Sequence, residues 1–309
     1  MTDASPLDDD HDLTNWLQAL NLPDFLSEDR ADSSEWLVEP IIPAGAAVAI
    51  WARAKVGKSL LLLDVCAALA SGGSVLGGTA RDPLDVCYFD MENPETELRS
   101  RFYDLGYTAS SDLKRLHYYH LPTLPPLDTD FGGAVLAAQV NRYRAALVVV
   151  DTTASAVNGG ENDSDTYRGF YRYTGSRLRP MGCSLVRLDH GGKDRTKGQR
   201  GSSAKDDDVD VVWEMTAEGS QLLLHCTRKR VAWVPNEVRI VRHDEPLLRH
   251  ELAPAALPAG TIDLAEEIDK LGLPLDVTMR AAMTALRDAG RGRRQADVLA
   301  ALKYRTRPR

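Results

Sequence analysis

Ala52-Arg53-Ala54-Lys55-Val56-Gly57-Lys58-Ser59 stands between an apolar run, Ala46–Trp51, and a helical pattern, Leu60–Ala70. A strand feeding a Gly-Lys-Ser turn into a helix aims backbone N–H groups and the positive end of the helix dipole at one point, where a polyphosphate can sit. Lys58 then reaches the β/γ-phosphates, the Ser59 hydroxyl ligates Mg²⁺, and the backbone from Ala52 to Leu60 forms the cradle. A bare Gly-Lys-Ser also fits an ordinary turn with an exposed lysine. The strand before it, the helix after it and the pieces downstream favour the phosphate loop. Ala52 occupies the place of the first glycine in G-x-x-x-x-G-K-[ST], which weakens nucleotide binding if that position needs φ > 0.

Working outward, the pattern alternates regularly. Strands are expected at Ala46–Trp51, Val86–Asp90, Leu116–His120, Ala146–Asp151 and Ser184–Asp189. Helices are expected at Ser59–Ala70, Glu95–Leu105, Gly132–Tyr143 and Ser164–Leu178. Such alternation implies crossover connections and a mainly parallel sheet with helices on both faces, an α/β fold. The short runs Val209–Met215, Leu222–Arg228 and Glu237–Arg242 predict antiparallel strands extending the sheet at one edge. The chain divides into an acidic, weakly ordered arm (1–34, with one short helix around Leu13–Leu20), an α/β core (35–250), a linker (251–260) and a basic C-terminal helical module (261–309). That module reads as three helices, near Ile262–Leu271, Val277–Ala289 and Gln295–Tyr304, with Asp276 as N-cap of the middle one and Gly290 as its stop.

Ala145-Ala-Leu-Val-Val-Val-Asp151 is a buried-strand run ending in a carboxylate. Ligands of such sheets lie beyond the C-terminal strand ends, so Asp151 faces the phosphates and holds Mg²⁺ through water. Val86-Cys-Tyr-Phe-Asp90 runs into Met91-Glu92-Asn93-Pro94, where proline stops the strand and starts a helix. Glu92 is left at the same edge, able to deprotonate the water that attacks the γ-phosphate; Asp90 is the alternative base. His190 ends the next strand, either as a γ-phosphate contact or as a structural residue. The loop after it carries Lys193, Arg195, Lys197, Arg200 and Lys205 around Gly201-Ser202-Ser203, which fits a clamp on a single strand's backbone or a solvated charged loop. In Cys226-Thr-Arg-Lys-Arg230, Arg228 and Arg230 lie on one side of an extended segment, as a guanidinium finger for a neighbouring subunit or as charges guarding an edge strand.

Composition sets the bounds. With 43% hydrophobic and 27% charged residues among 309, this is an ordinary globular chain. The net charge of -8 argues against a simple nucleic-acid coat, but it is uneven. Arg30 is the only basic side chain before Glu35, whereas Arg291, Arg293, Arg294, Lys303, Arg305, Arg307 and Arg309 face only Asp297. Cys66, Cys87, Cys183 and Cys226 lack the spacing of a zinc or redox pair and read as buried hydrophobes in a reducing cytosol. The start is acidic rather than basic and apolar, and Leu60–Ala70 is too short to span a bilayer, so a soluble cytoplasmic protein is expected.

Taken together, Lys55-Val-Gly-Lys-Ser-Leu60, Asp90-Met-Glu-Asn-Pro-Glu95, Val149-Val-Asp151, Asp189-His-Gly-Gly-Lys-Asp194 with Arg200-Gly-Ser-Ser-Ala204, and Thr227-Arg-Lys-Arg230 resemble the RecA-like hexameric helicase ATPases. The likeness is to the RepA-type plasmid replicative helicases and their phage and actinobacterial relatives, related to the DnaB motor domain, and covers roughly Trp36 to Arg242. The resemblance implies Lys58 and Ser59 on ATP·Mg²⁺, Asp151 as the metal-side carboxylate, Glu92 as catalytic base, His190 as γ-phosphate sensor and Arg230, with Arg228, as finger in trans. It also implies a homohexameric ring around single-stranded DNA, with Lys193, Lys197, Arg200 and Lys205 in a channel loop, and a primase or initiator as partner. Arg228 stands where the DnaB type usually has lysine. Two other readings keep the same core: an ATP-gated DNA-binding adaptor, and a recombination ATPase. The C-terminal helices fit a winged-helix-like module touching DNA, a packing cap or a partner dock.

Overall fold

A computed structural model describes residues 19, 21–27, 36–160, 163–191, 208–253 and 261–305. The helix expected at Leu13–Leu20 lies outside the described residues; a short helix α1 occupies Leu22–Ser27. Two short strands, β1 (Trp36–Val38) and β2 (Ile42–Pro43), pair antiparallel ahead of the main sheet.

The main sheet has nine strands: β3 (Ala47–Ala52), β4 (Val86–Asp90), β5 (Leu116–His120), β6 (Leu147–Asp151), β7 (Ser184–His190), β8 (Val211–Glu218), β9 (Gln221–Lys229), β10 (Glu237–His243) and β11 (Arg249–Leu252). Their order is β11-β10-β9-β8-β3-β7-β6-β4-β5. The block β8-β3-β7-β6-β4-β5 is parallel throughout, so its C-terminal ends share one edge. From β8 outward every pairing is antiparallel. The expected antiparallel extension is therefore present, with one correction: β8 itself runs parallel to β3. β8 begins beside the start of β3, with Val211 opposite Val48, so the two strands run the same way, where a hairpin would have set them opposed.

Helices cover both faces. α2 (Lys58–Ser71) is buried nearly all round, including Leu61, Leu62, Leu63, Val65 and Leu69, as a helix packed in the interior must be. Gly72, at φ 74, ends it by donating to the Ala68 carbonyl. α3 (Glu95–Asp104) buries no residue and carries the i,i+4 pairs Glu95–Arg99 and Glu97–Arg101 on its surface. α4 (Asp130–Tyr143) starts at Thr129, whose side chain accepts from the Gly132 amide. A Cβ on Gly133 would sit 1.9 Å from the Tyr173 carbonyl oxygen, so only glycine allows this approach. α5 (Thr153–Ala156) is a single turn after β6. The continuous helix expected at Ser164–Leu178 is instead α6 (Ser164–Phe170), a π-helical turn over Tyr171–Gly175 and α7 (Ser176–Leu178). The widened turn keeps both Phe170 and Tyr171 in the core, where a regular helix would carry them apart.

Successive strand residues face opposite layers. Val149, Val186, Leu188 and Ile50 pack with α2 in one core, while Val148, Val150, Leu185 and Ala49 pack with Leu136, Val140 and Phe170 in the other. Cys66, Cys87 and Cys183 are buried free thiols; Cys226, in β9 between β8 and β10, is a free thiol but only half-buried.

Three further helices, α8 (Thr261–Lys270), α9 (Met279–Asp288) and α10 (Gln295–Arg305), enclose their own core of Leu264, Ile268, Ala282, Leu286, Val298 and Leu302. The N-cap of α9 is Thr278, not Asp276: its hydroxyl accepts from the Ala281 amide, and the helix starts at Met279, two residues later than expected. Gly290, at φ 73, donates to the Arg287 carbonyl beyond the helix end. Several basic residues here are internal ties: Arg291 and Arg293 pair with Glu267, and Arg305 pairs with Asp269. Among the described residues, no helix is long and apolar enough to cross a membrane.

Candidate nucleotide site

The site lies at the C-terminal edge of the parallel block, where strand pairing sets Ala52 beside His190 and Asp90 beside Asp151. Ala52 is the buried last residue of β3, in extended backbone, so a glycine has no conformational advantage there. The left-handed positions of the loop are Lys55, at φ 65, and Gly57, at φ 104. Alternation of left-handed and ordinary residues is the backbone of an anion nest. A Cβ on Gly57 would meet nothing within 4 Å, so that glycine is required by its dihedral rather than by space. Arg53, Ala54 and Lys55 are exposed, Val56 packs against the core, and Lys58, Ser59 and Leu60 open α2.

Lys58 is buried, with Nζ 3.4 Å from the Ala52 carbonyl oxygen. Burial lowers its pKa; the nearby Asp151, Asp189 and Glu92 carboxylates pull the other way. An anionic ligand on the loop would favour the charged amine further. Asp151 is wholly buried, and its Oδ2 accepts from the Tyr88 hydroxyl at 2.7 Å. Burial raises its pKa, opposed by Tyr88 and the nearby Ser59 hydroxyl, with Asp90 and Glu92 adding to the rise. Ser59 approaches this carboxylate, yet Oδ1 lacks a well-formed hydrogen bond. A buried carboxylate oxygen left open beside a hydroxyl suits Mg²⁺, which keeps water and phosphate oxygens among its ligands and needs only one or two from protein. Among the described residues, no cluster of three or more His, Cys, Asp or Glu forms a self-sufficient metal cage.

Glu92 and Asp90 have different surroundings. Asp90 is fully buried; Oδ1 accepts from the Glu92 and Asn93 amides and from Asn93 Nδ2, and Oδ2 from the Tyr118 hydroxyl at 2.5 Å. With its lone pairs committed, Asp90 serves to shape the turn that presents Glu92. Glu92 is 40% exposed, and Oε1 meets the Thr152 hydroxyl at 2.6 Å, the Ser155 hydroxyl at 3.3 Å and His190 Nε2 at 3.4 Å. Lys58, Ser59, Glu92, Asp151 and His190 are thus gathered at one edge.

Arg228 and Arg230 are not. Arg230 follows the end of β9 and donates its amide to the Asp210 carbonyl, while the Asp210 amide donates to the Ala47 carbonyl. Ala47 begins β3, and Ala52 lies five residues on, about 16 Å at ~3.3 Å per residue. Arg228 is opposite Val212, also toward that far end. Lys193, Lys197, Arg200 and Lys205 lie outside the described residues.

Several contributors escaped the sequence reading. Tyr88 and Tyr118 stack at 4.9 Å, each holding one of the two buried carboxylates. Both are the third residue of their strands and pair in register, a signal that appears only once β4 and β5 are known neighbours. Thr152, after a cis Asp151–Thr152 peptide, and Asn93 orient Glu92 and its turn. Arg187 and Asp189 form a fully buried ion pair at 2.7 Å in β7, with the guanidinium over the Tyr167 and Tyr171 rings.

No curated protein matches the chain. The AAA_25 family model, an AAA domain, matches residues 16–196, and P-loop ATPases of this kind generally use ATP and Mg²⁺. The matched segment spans more than half of the 309 residues and holds Lys58, Ser59, Glu92, Asp151 and His190, and the chain belongs to the AAA_25 family of AAA-type P-loop ATPases.

Proposed function

We propose that the chain is the motor subunit of a RepA-type, RecA-like homohexamer that hydrolyses ATP between subunits and translocates on or unwinds DNA during plasmid- or phage-type replication. The observation that carries this reading is the Glu92–His190 contact at the mouth of the phosphate loop. A protein that uses ATP only to set its assembly does not need a positioned base.

Lys58 and the loop amides hold the phosphates, while Ser59 and Asp151 hold Mg²⁺, which would screen the triphosphate charge. Glu92 takes the proton of the attacking water, oriented by Thr152 and Ser155. His190 senses the γ-phosphate and begins the segment that carries Lys193, Lys197, Arg200 and Lys205, which grip single-stranded DNA. Arg230, with Arg228, reaches the neighbour's γ-phosphate. A primase or initiator would act as loading partner.

The test is ATP turnover with and without single-stranded DNA, beside unwinding of a forked duplex. DNA-stimulated turnover with strand separation is expected. Stimulation without separation favours the ATP-gated adaptor, and no turnover under any condition contradicts the motor.

A further inference from the structure

A cavity of about 290 Å³ opens at the opposite edge of the sheet from the phosphate loop, beside Ala47 at the start of β3. Arg168, Arg172 and Arg179 line it from the α6–α7 segment, Arg230 from beyond β9, with Tyr171 and Asp208 between them. Asp210 organises this wall. Its Oδ1 lies 2.9 Å from Arg179 Nη2 and 3.9 Å from Arg230 Nη1, and its Oδ2 accepts from the Ala47 amide. Arg172 is exposed over the Tyr173 ring, with no carboxylate partner among the described residues.

We propose that this cavity receives the polyphosphate of a nucleotide held by the phosphate loop of an adjacent copy, with Arg172 and Arg179 acting beside Arg230. The inference rests on the reading that ATP sites are shared between copies. Three observations favour that occupant. Arginine forks match phosphate oxygens, and four of them line this cavity, Arg168 paired with Asp165, Arg179 and Arg230 beside Asp210, and Asp208 the one carboxylate in the lining itself. The volume is at the low end of small-ligand sites, ~300 Å³, which suits a phosphate chain without its nucleoside. The chain's own loop lies about 16 Å along β3 from the cavity at ~3.3 Å per residue, so these arginines cannot serve it.

Two measurements decide the matter. Inorganic tripolyphosphate is titrated into Lys58→Ala protein, whose own loop is disabled, and into Lys58→Ala protein also carrying Arg172→Ala and Arg179→Ala. Binding at least tenfold weaker in the second is expected; equal binding, or none in the first, overturns the proposal. Arg172→Ala/Arg179→Ala subunits are then mixed with Lys58→Ala subunits and ATP turnover is followed, beside the mixture of Arg230→Ala with Lys58→Ala. Recovery in both mixtures is expected. Recovery with Arg230→Ala alone overturns the proposal while leaving the shared site standing, and recovery in neither overturns both. Lysine at positions 172 and 179 should retain most tripolyphosphate binding; loss there with a lowered melting temperature marks damage to the fold and counts against the proposal.

Discussion

Glu92→Gln is expected to lower ATP turnover by about 10²–10⁴-fold, the usual worth of a general base, while ATP binding persists. The amide keeps an oxygen that can accept from Thr152 and Ser155, so the turn after β4 should hold its shape. What is lost is basicity. Asp90 cannot substitute, because both of its oxygens already accept hydrogen bonds inside the fold. Turnover is followed by phosphate release and binding by a fluorescent nucleotide. Near-normal release by Glu92→Gln would remove Glu92 from the chemistry. Asp90→Asn, by contrast, is expected to disturb the Met91–Asn93 turn as well as activity.

Arg187→Met is expected to cost about 3–5 kcal/mol, because it removes the cation from an ion pair neither of whose side chains reaches solvent. At ~2–4 °C per kcal/mol for a domain of this size, that is a melting temperature roughly 6–20 °C lower. The pair sits in β7, between the phosphate-loop strand and the Asp151 strand, so its loss reaches both. Replacing both members with apolar residues, Arg187→Met with Asp189→Leu, should recover much of the stability, since the desolvation cost of two ions goes with them. Thermal melts of the single and double variants check this; equal losses in both would show that packing, not charge, holds the site. The double variant is still expected to bind ATP less well, because Asp189 is one of the carboxylates that favour charged Lys58.

The central strands and the phosphate loop were legible because long apolar runs and their terminal carboxylates leave few alternatives: Val86–Asp90 and Leu116–His120 run exactly as far as their residues suggest. What was not legible depended on long-range partners. Arg249-His-Glu-Leu252 does not look like a strand, yet it pairs with β10 and is pinned to α2 by the His250 amide and ring against Asp64. The direction of β8 depended on a connection whose path no local pattern specifies. Tyr171 reads as one more helical residue, and only its packing in the core beside Phe170 and Leu178 shows why the turn widens there. In the site, Lys58, Ser59, Glu92, Asp151 and His190 were recoverable from order along the chain. Tyr88, Tyr118 and Thr152 were not, because their roles arise from register between strands distant in sequence.

The most direct test of a shared ATP site mixes two inactive proteins, Lys58→Ala subunits with an intact Arg230 and Arg230→Ala subunits with an intact phosphate loop, and measures ATP turnover. Some sites in the mixed assemblies then combine a working loop with a working arginine. Turnover above that of either protein alone is the predicted result; turnover no higher than theirs, with assembly intact, would contradict the account.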